Sequence, residues 1–186
     1  MAKCGELVVF HDVSLERFFP SDRLLATLTM EELRQFKFAN SECIPSLREV
    51  LDLCKGKMEV NIEIKGNSPE IAHAIHKQIK DLNLQDEIIV SCFHTGSLLS
   101  FRDIDQKTRV AFLLGHDTRF SWKYLNVPLI CSDMKADIIH PRTNYVDEEF
   151  CTVMRESGLR IIPFASTSGE EIDDKEKVWE LSLIHI

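Results

Sequence analysis

The chain has 186 residues, 44% hydrophobic and 28% charged, and 22 Lys and Arg against 30 Asp and Glu leave a net charge of −8. That is the composition of one ordinary globular domain. An acidic balance without a dense Lys/Arg run excludes a charge-driven nucleic-acid or anionic-membrane partner, and no apolar run reaches the ~20 residues of a membrane span.

The six cysteines, Cys4, Cys43, Cys54, Cys92, Cys131 and Cys151, show no C-x-x-C and no zinc-finger spacing. They read as free thiols in a reducing compartment, so the expected location is cytoplasmic. No signal peptide is visible.

In chain order, the first strand candidate is Glu6–Phe10, which ends in His11-Asp12. Ser46 and Glu49 then form a capping box before Leu47, Val50, Leu51 and Cys54, with Gly56 as a stop. Met58–Ile64 is the second strand candidate. Ser68-Pro69 opens a helix whose apolar stripe is Ile71, Ile75, Ile79 and Leu82. Ile88–Cys92 and Val110–Leu114 read as strands, Val127–Cys131 as a weaker one, and Ala136–Ile139 as another. Asp147-Glu148-Glu149 places acid in the first turn of a helix that ends near Gly158. Leu159–Phe164 is the last strand candidate, and Glu170 to Glu176 reads as a solvated helix start.

Alternating strands and helices predict a parallel α/β protein. An open doubly wound sheet would want a Gly-rich phosphate loop, and none of the seven glycines supplies one. Polar residues at the C-terminal ends of strands fit a (β/α)8 barrel instead.

The stretch "MEVNIEIKG", Met58 to Gly66, alternates strictly. Met58, Val60, Ile62 and Ile64 share one face; Glu59, Asn61, Glu63 and Lys65 share the other. In a barrel the second face looks into the lumen, where charges need a partner, a metal or a substrate. A solvated strand of an antiparallel sheet would explain the pattern without a site. By the same alternation Leu7, Val9 and His11 share a face, which puts His11 on the rim with Glu63 and Lys65. Asp12 would orient a neighbour or begin the turn. A histidine for proton transfer, a carboxylate for a hard cation and a lysine for an anion suit phosphoester cleavage. One carboxylate, however, does not make a Mg2+ or Ca2+ site, which takes several oxygen ligands.

"GELVVFHDVSLERF", "LTMEELRQF", "IPSLREVLDLC", "NIEIKG" and "IIVSCFHTGSL" resemble, in order and spacing, the glycerophosphodiester phosphodiesterases. The resemblance runs from about Gly5 to Gly158 and more weakly to Trp179. It implies a (β/α)8 TIM barrel that hydrolyses glycerophosphodiesters to glycerol 3-phosphate and an alcohol with a divalent cation, Mg2+ or Ca2+. It makes His11 and Lys65 catalytic and Glu63 a metal ligand, and it matches Phe93 and Phe164 to substrate-binding aromatics. At Phe164 the chain reads "PFASTS" where the family more often has W-T-V-N. Residues 13–46 resemble a small insertion that covers the glycerol side of the substrate.

The family's H-R-G and E-x-D, which carry a second histidine, an arginine and two more metal carboxylates, are not in this chain. Residues 1–180 therefore read as an incomplete barrel of impaired activity, and "LSLIHI", residues 181–186, as a sequencing scar. Two alternatives stand beside this reading. One is a non-catalytic binding module on the same barrel; the other is a related phosphodiesterase, phospholipase C/D-like, acting on inositol or sphingo-phospholipids. Of the other histidines, His73 and His76 are expected on the polar sides of a helix. His94 and His140 could approach the rim, while His116 falls in a loop and His185 in the suspected scar.

Overall fold

A computed structural model describes residues 1–115 and 126–164. Its centre is a parallel sheet of β1 (Val60–Glu63), β2 (Ile88–Cys92), β3 (Arg109–Leu114), β4 (Ile138–Pro141) and β5 (Arg160–Ile161), in sequential order. Parallel neighbours need crossovers, and helices supply them. These are α3 (Pro69–Leu82), α4 (Thr95–Ile104), α5 (Val127–Asp133) and α6 (Glu148–Glu156). Helices α1 (Met30–Leu33) and α2 (Leu47–Cys54) precede the sheet. Sequential parallel strands, the first four each followed by a helix, form the wall of an incomplete (β/α)8 barrel among the described residues.

The caps act where the sequence places them. The Ser46 hydroxyl accepts from the Glu49 amide while the Glu49 carboxylate accepts from the Ser46 amide. A second such box, Thr29 with Glu32, opens α1. Ser68 caps α3, with Pro69 at its first position, where the missing N–H costs nothing. The stripe of α3 is buried at Ala72, Ile75, Ile79 and Leu82, with Ile71 half-buried beside it. Each such aliphatic side chain contributes about 1.5–3 kcal/mol of burial.

The sheet is covered on both sides. One face, including Ile62, Val90, Val110, Phe112 and Ile139, packs with the helices in the main core. The other face carries Ile89, Ala111, Ile138 and Ile162, a separate apolar cluster. Burial on both faces is the mark of a barrel wall, with the second cluster filling the lumen.

Two expectations are corrected. Val127–Cys131 is not a strand but most of α5, with Pro128 in its first turn, where the missing N–H costs nothing. Glu6–Phe10 is not a parallel barrel strand among the described residues. It makes a single antiparallel bridge, Val8 to Ser46, in which Leu47 N–H donates to Leu7 and Val9 N–H donates to Pro45. Pro45 has no N–H of its own, so the ladder stops there. Leu7 enters the main core, whereas Val8 and Phe10 pack on a second one. That second core, built on Leu15, Phe19, Leu28, Leu33 and Ile44, lies within the residue 13–46 segment except for Ala2.

All six cysteines are free thiols. No helix among the described residues is long and apolar enough to cross a membrane. His116, His185, Glu170 to Glu176, Trp179 and residues 181–186 lie outside the described residues.

Candidate active site

Alternation along the strands decides what reaches the C-terminal rim on the lumen face. Above Ile89 on β2 come Ser91 and Phe93; above Ala111 on β3 come Leu113 and then Gly115 just past the strand's end. Above Ile138 on β4 come His140 and Arg142, and beyond Ile162 comes Phe164. On β1 the equivalent residues are Asn61 and Glu63, because Asn61 pairs with Ile89 and Glu63 with Ser91.

Glu63 and Lys65 are brought together as the alternation predicts, with Lys65 Nζ 2.7 Å from Glu63 Oε1 and both side chains partly exposed. Beside them, Asn61 Oδ1 and Ser91 Oγ are buried without a hydrogen-bond partner. An unpaired buried oxygen costs about 1–3 kcal/mol. Two of them on one lumen face, next to a carboxylate and an ammonium, make a polar floor in a place normally filled by branched apolar side chains.

Phe93 and Phe164 also meet. Their rings stand edge to face, centroids 6.0 Å apart. The contact depends on Gly115, since a Cβ there would lie 2.6 Å from Phe93 Cε1. Arg142 pairs with Phe164 across the end of the sheet and donates its backbone N–H to Leu114.

His11 stands apart. Its Nδ1 lies 2.6 Å from Asp12 Oδ1, and the ring is largely exposed. Arg17 grips the same carboxylate from its far side, with Nε 2.6 Å from Oδ2. The hydrogen bond with His11, aided by Arg17, holds the Asp12 carboxyl below its ordinary value. A carboxylate on Nδ1 makes that nitrogen the donor and leaves Nε2 as the base. Among the described residues no hydrogen bond or ion pair joins His11 to Glu63 or Lys65, so the structure does not show the shared rim that the alternation of Leu7, Val9 and His11 predicts.

Four other histidines lie among the described residues. His140 is buried, with Nδ1 2.7 Å from the Ile162 carbonyl. His94 caps α4 by backbone only, and His73 faces solvent with Nδ1 near the Pro69 carbonyl. His76 departs from expectation. Its ring is half-buried, 3.0 Å from Asp105 and edge-on to Phe101, because α3 packs on α4 along that side. Burial pushes the Cys92 thiol up, and it donates to the Ile64 carbonyl.

The described residues do not by themselves form a divalent-cation site. No three His, Cys, Asp or Glu side chains among them cluster at ligand distance. Of the rim residues just named, Glu63 is the only carboxylate, and Lys65 already holds it.

A family model described as the glycerophosphoryl diester phosphodiesterase family matches residues 1–178. The chain is 26% identical over 185 residues to a glycerophosphodiester phosphodiesterase of Caldanaerobacter subterraneus, covering 93% of this chain and 73% of that protein. It is 31% identical over 125 residues to one of Bacillus altitudinis, covering 61% of this chain and 51% of that protein. Among solved structures, a Galdieria sulphuraria protein described as a glycerophosphodiester phosphodiesterase aligns with a TM-score of 0.81 at 19% identity, over 97% of this chain and 73% of its own. An Oleispira antarctica phosphodiesterase in complex with the product sn-glycerol-3-phosphate aligns with a TM-score of 0.79 at 20% identity, with the same coverage.

Proposed function

The chain belongs to the glycerophosphoryl diester phosphodiesterase family, a family of phosphoric diester hydrolases, and from that premise we propose that it hydrolyses glycerophosphodiesters to glycerol 3-phosphate and an alcohol. The observation that carries this reading is the Glu63–Lys65 pair on the polar lumen floor at the C-terminal ends of the strands. That end of a parallel barrel is where active sites are built.

Lys65 turns from Glu63 to the phosphoryl oxygens and offsets the charge that grows on them. His11, its Nδ1 held by Asp12, moves a proton through Nε2 at the attacking or leaving oxygen. Phe93 and Phe164 form one apolar wall for the substrate, and residues 13–46 cover its glycerol side. The family is in general divalent-metal dependent. Glu63 is the ligand this chain offers to Mg2+ or Ca2+.

The test is turnover of glycerophosphocholine by the 186-residue chain with Mg2+ or Ca2+. With one carboxylate among the described rim residues, metal binding is weak, so the rate falls at least about 100-fold below that of the Caldanaerobacter relative. Glu63→Ala removes the metal-dependent part of it. A metal-dependent rate that Glu63→Ala leaves intact refutes the assignment. A binding role on the same barrel is the second reading, favoured by the single carboxylate among the described rim residues. Product affinity with no turnover at any metal concentration would support it.

A further inference from the structure

The rim holds a cation that the family resemblance does not assign. Arg142 follows Ile138 and His140 on the lumen-facing register of β4 and is half-buried, not exposed. Its Nε is out of contact with solvent and has no hydrogen-bond partner. No carboxylate among the described residues pairs with its guanidinium, whereas the other rim cation, Lys65, is neutralised by Glu63 at 2.7 Å.

Its surroundings are shaped as well as charged. Gly115 and Phe164 flank it on the neighbouring strands, and the ring of Phe93 lies across Gly115 to meet Phe164. The lack of a side chain at Gly115 is what lets the Phe93 ring lie there. A guanidinium is a fork of N–H donors suited to two oxygens of one phosphoryl group.

We propose that Arg142 is a phosphate-binding residue, which receives the anionic oxygens of a phosphodiester or of its phosphomonoester product against the Phe93–Phe164 wall. The assignment rests on the proposed function for its substrate class, but not on turnover for its test.

The experiment is isothermal titration of the 186-residue chain with inorganic phosphate and with sn-glycerol 3-phosphate, in EDTA so that no cation bridges the anion. The wild-type chain binds both. Arg142→Ala weakens both at least tenfold, and Arg142→Lys recovers part of the loss, since a point charge replaces only part of the fork. Arg155→Ala, which removes an exposed cation on α6, leaves binding unchanged. Thermal melts of the two Arg142 variants confirm folding, and Arg142→Lys carries the test if Arg142→Ala does not fold. The proposal is overturned if the wild-type chain binds neither anion, or if both Arg142 variants bind as wild type. It is also overturned if Arg155→Ala costs as much as Arg142→Ala. Absence of turnover with binding retained counts against the hydrolytic reading and leaves Arg142 in place.

Discussion

The ring of Phe93 occupies the space that a side chain at residue 115 would take, with its Cε1 2.6 Å from where a Cβ would be. The glycine is therefore a spatial requirement of the aromatic pair. Gly115→Ala pushes Phe93 off Phe164. Phe93 is 41% exposed, so the ring can swing outward and the cost in stability stays small, below about 1 kcal/mol. The expected result is loss of the ring-to-ring contact by NMR with a near-unchanged melting temperature. A retained contact would show that the backbone moves instead.

Acid stability should depend on Asp105. Burial alone would raise this carboxyl, but bonds from the Thr108 amide and hydroxyl, the Lys107 amide and His76 outweigh burial and hold it below its ordinary value. A lowered folded value means stability that is present above the unfolded pKa of about 3.9 and lost as the pH falls through the folded one. Asp105→Asn should cost about 1–3 kcal/mol at pH 7. It should also flatten the acid limb of a denaturant-midpoint profile below pH 4. An acid limb as steep as wild type would assign the titration to other carboxylates.

The thiols should react in a fixed order with a disulfide reagent. Cys4 is exposed, and backbone hydrogen bonds at Glu6 and Met30 lower its pKa. Burial raises Cys131 to about 12, and it raises Cys92 as well. At pH 8 about one Cys131 in 10,000 is a thiolate. Cys4 is expected to react first, and Cys92 and Cys131 only on unfolding. Rapid labelling of Cys131 in the native chain would contradict its burial.

Asp12 should act on rate and not on stability. Its carboxylate lies on the surface, between His11 and Arg17. His11→Ala is expected to lower turnover roughly 10²–10⁴-fold. Asp12→Ala should lower kcat by a smaller factor and shift its pH profile, with the melting temperature unchanged. An unaltered pH profile would reduce Asp12 to a turn residue.

The sequence was most legible where one local rule was enough. Ser46, Ser68 and Asp147 cap their helices because each hydroxyl or carboxylate finds an amide three residues on. Glu63 and Lys65 meet because period-two alternation leaves no other choice at 2.7 Å. The failures came where tertiary context decided. Leu7 to Phe10 is apolar enough for a strand, but its neighbour is the Pro45 edge, which cannot extend a ladder. Val127–Cys131 has a strand's composition and a helix's proline. Arg142 lies behind Pro141 and past the apolar run, although alternation from Ile138 carries on to it. Phe93 and Phe164 are 71 positions apart in the chain. Their contact needs two strands and a glycine, which no single window contains.

Leu7 and Val8 are adjacent in the chain and enter different cores. One peptide unit thus ties the aromatic cluster of Phe10, Phe18, Phe19 and Phe38 to the packing beneath the sheet. Leu7 cannot leave the main core without pulling on the backbone that seats Val8. The two cores should therefore share one unfolding transition, and amides on either side of Leu7 should exchange with a common opening free energy. His11 sits four residues beyond this joint, so its position reports on the integrity of both.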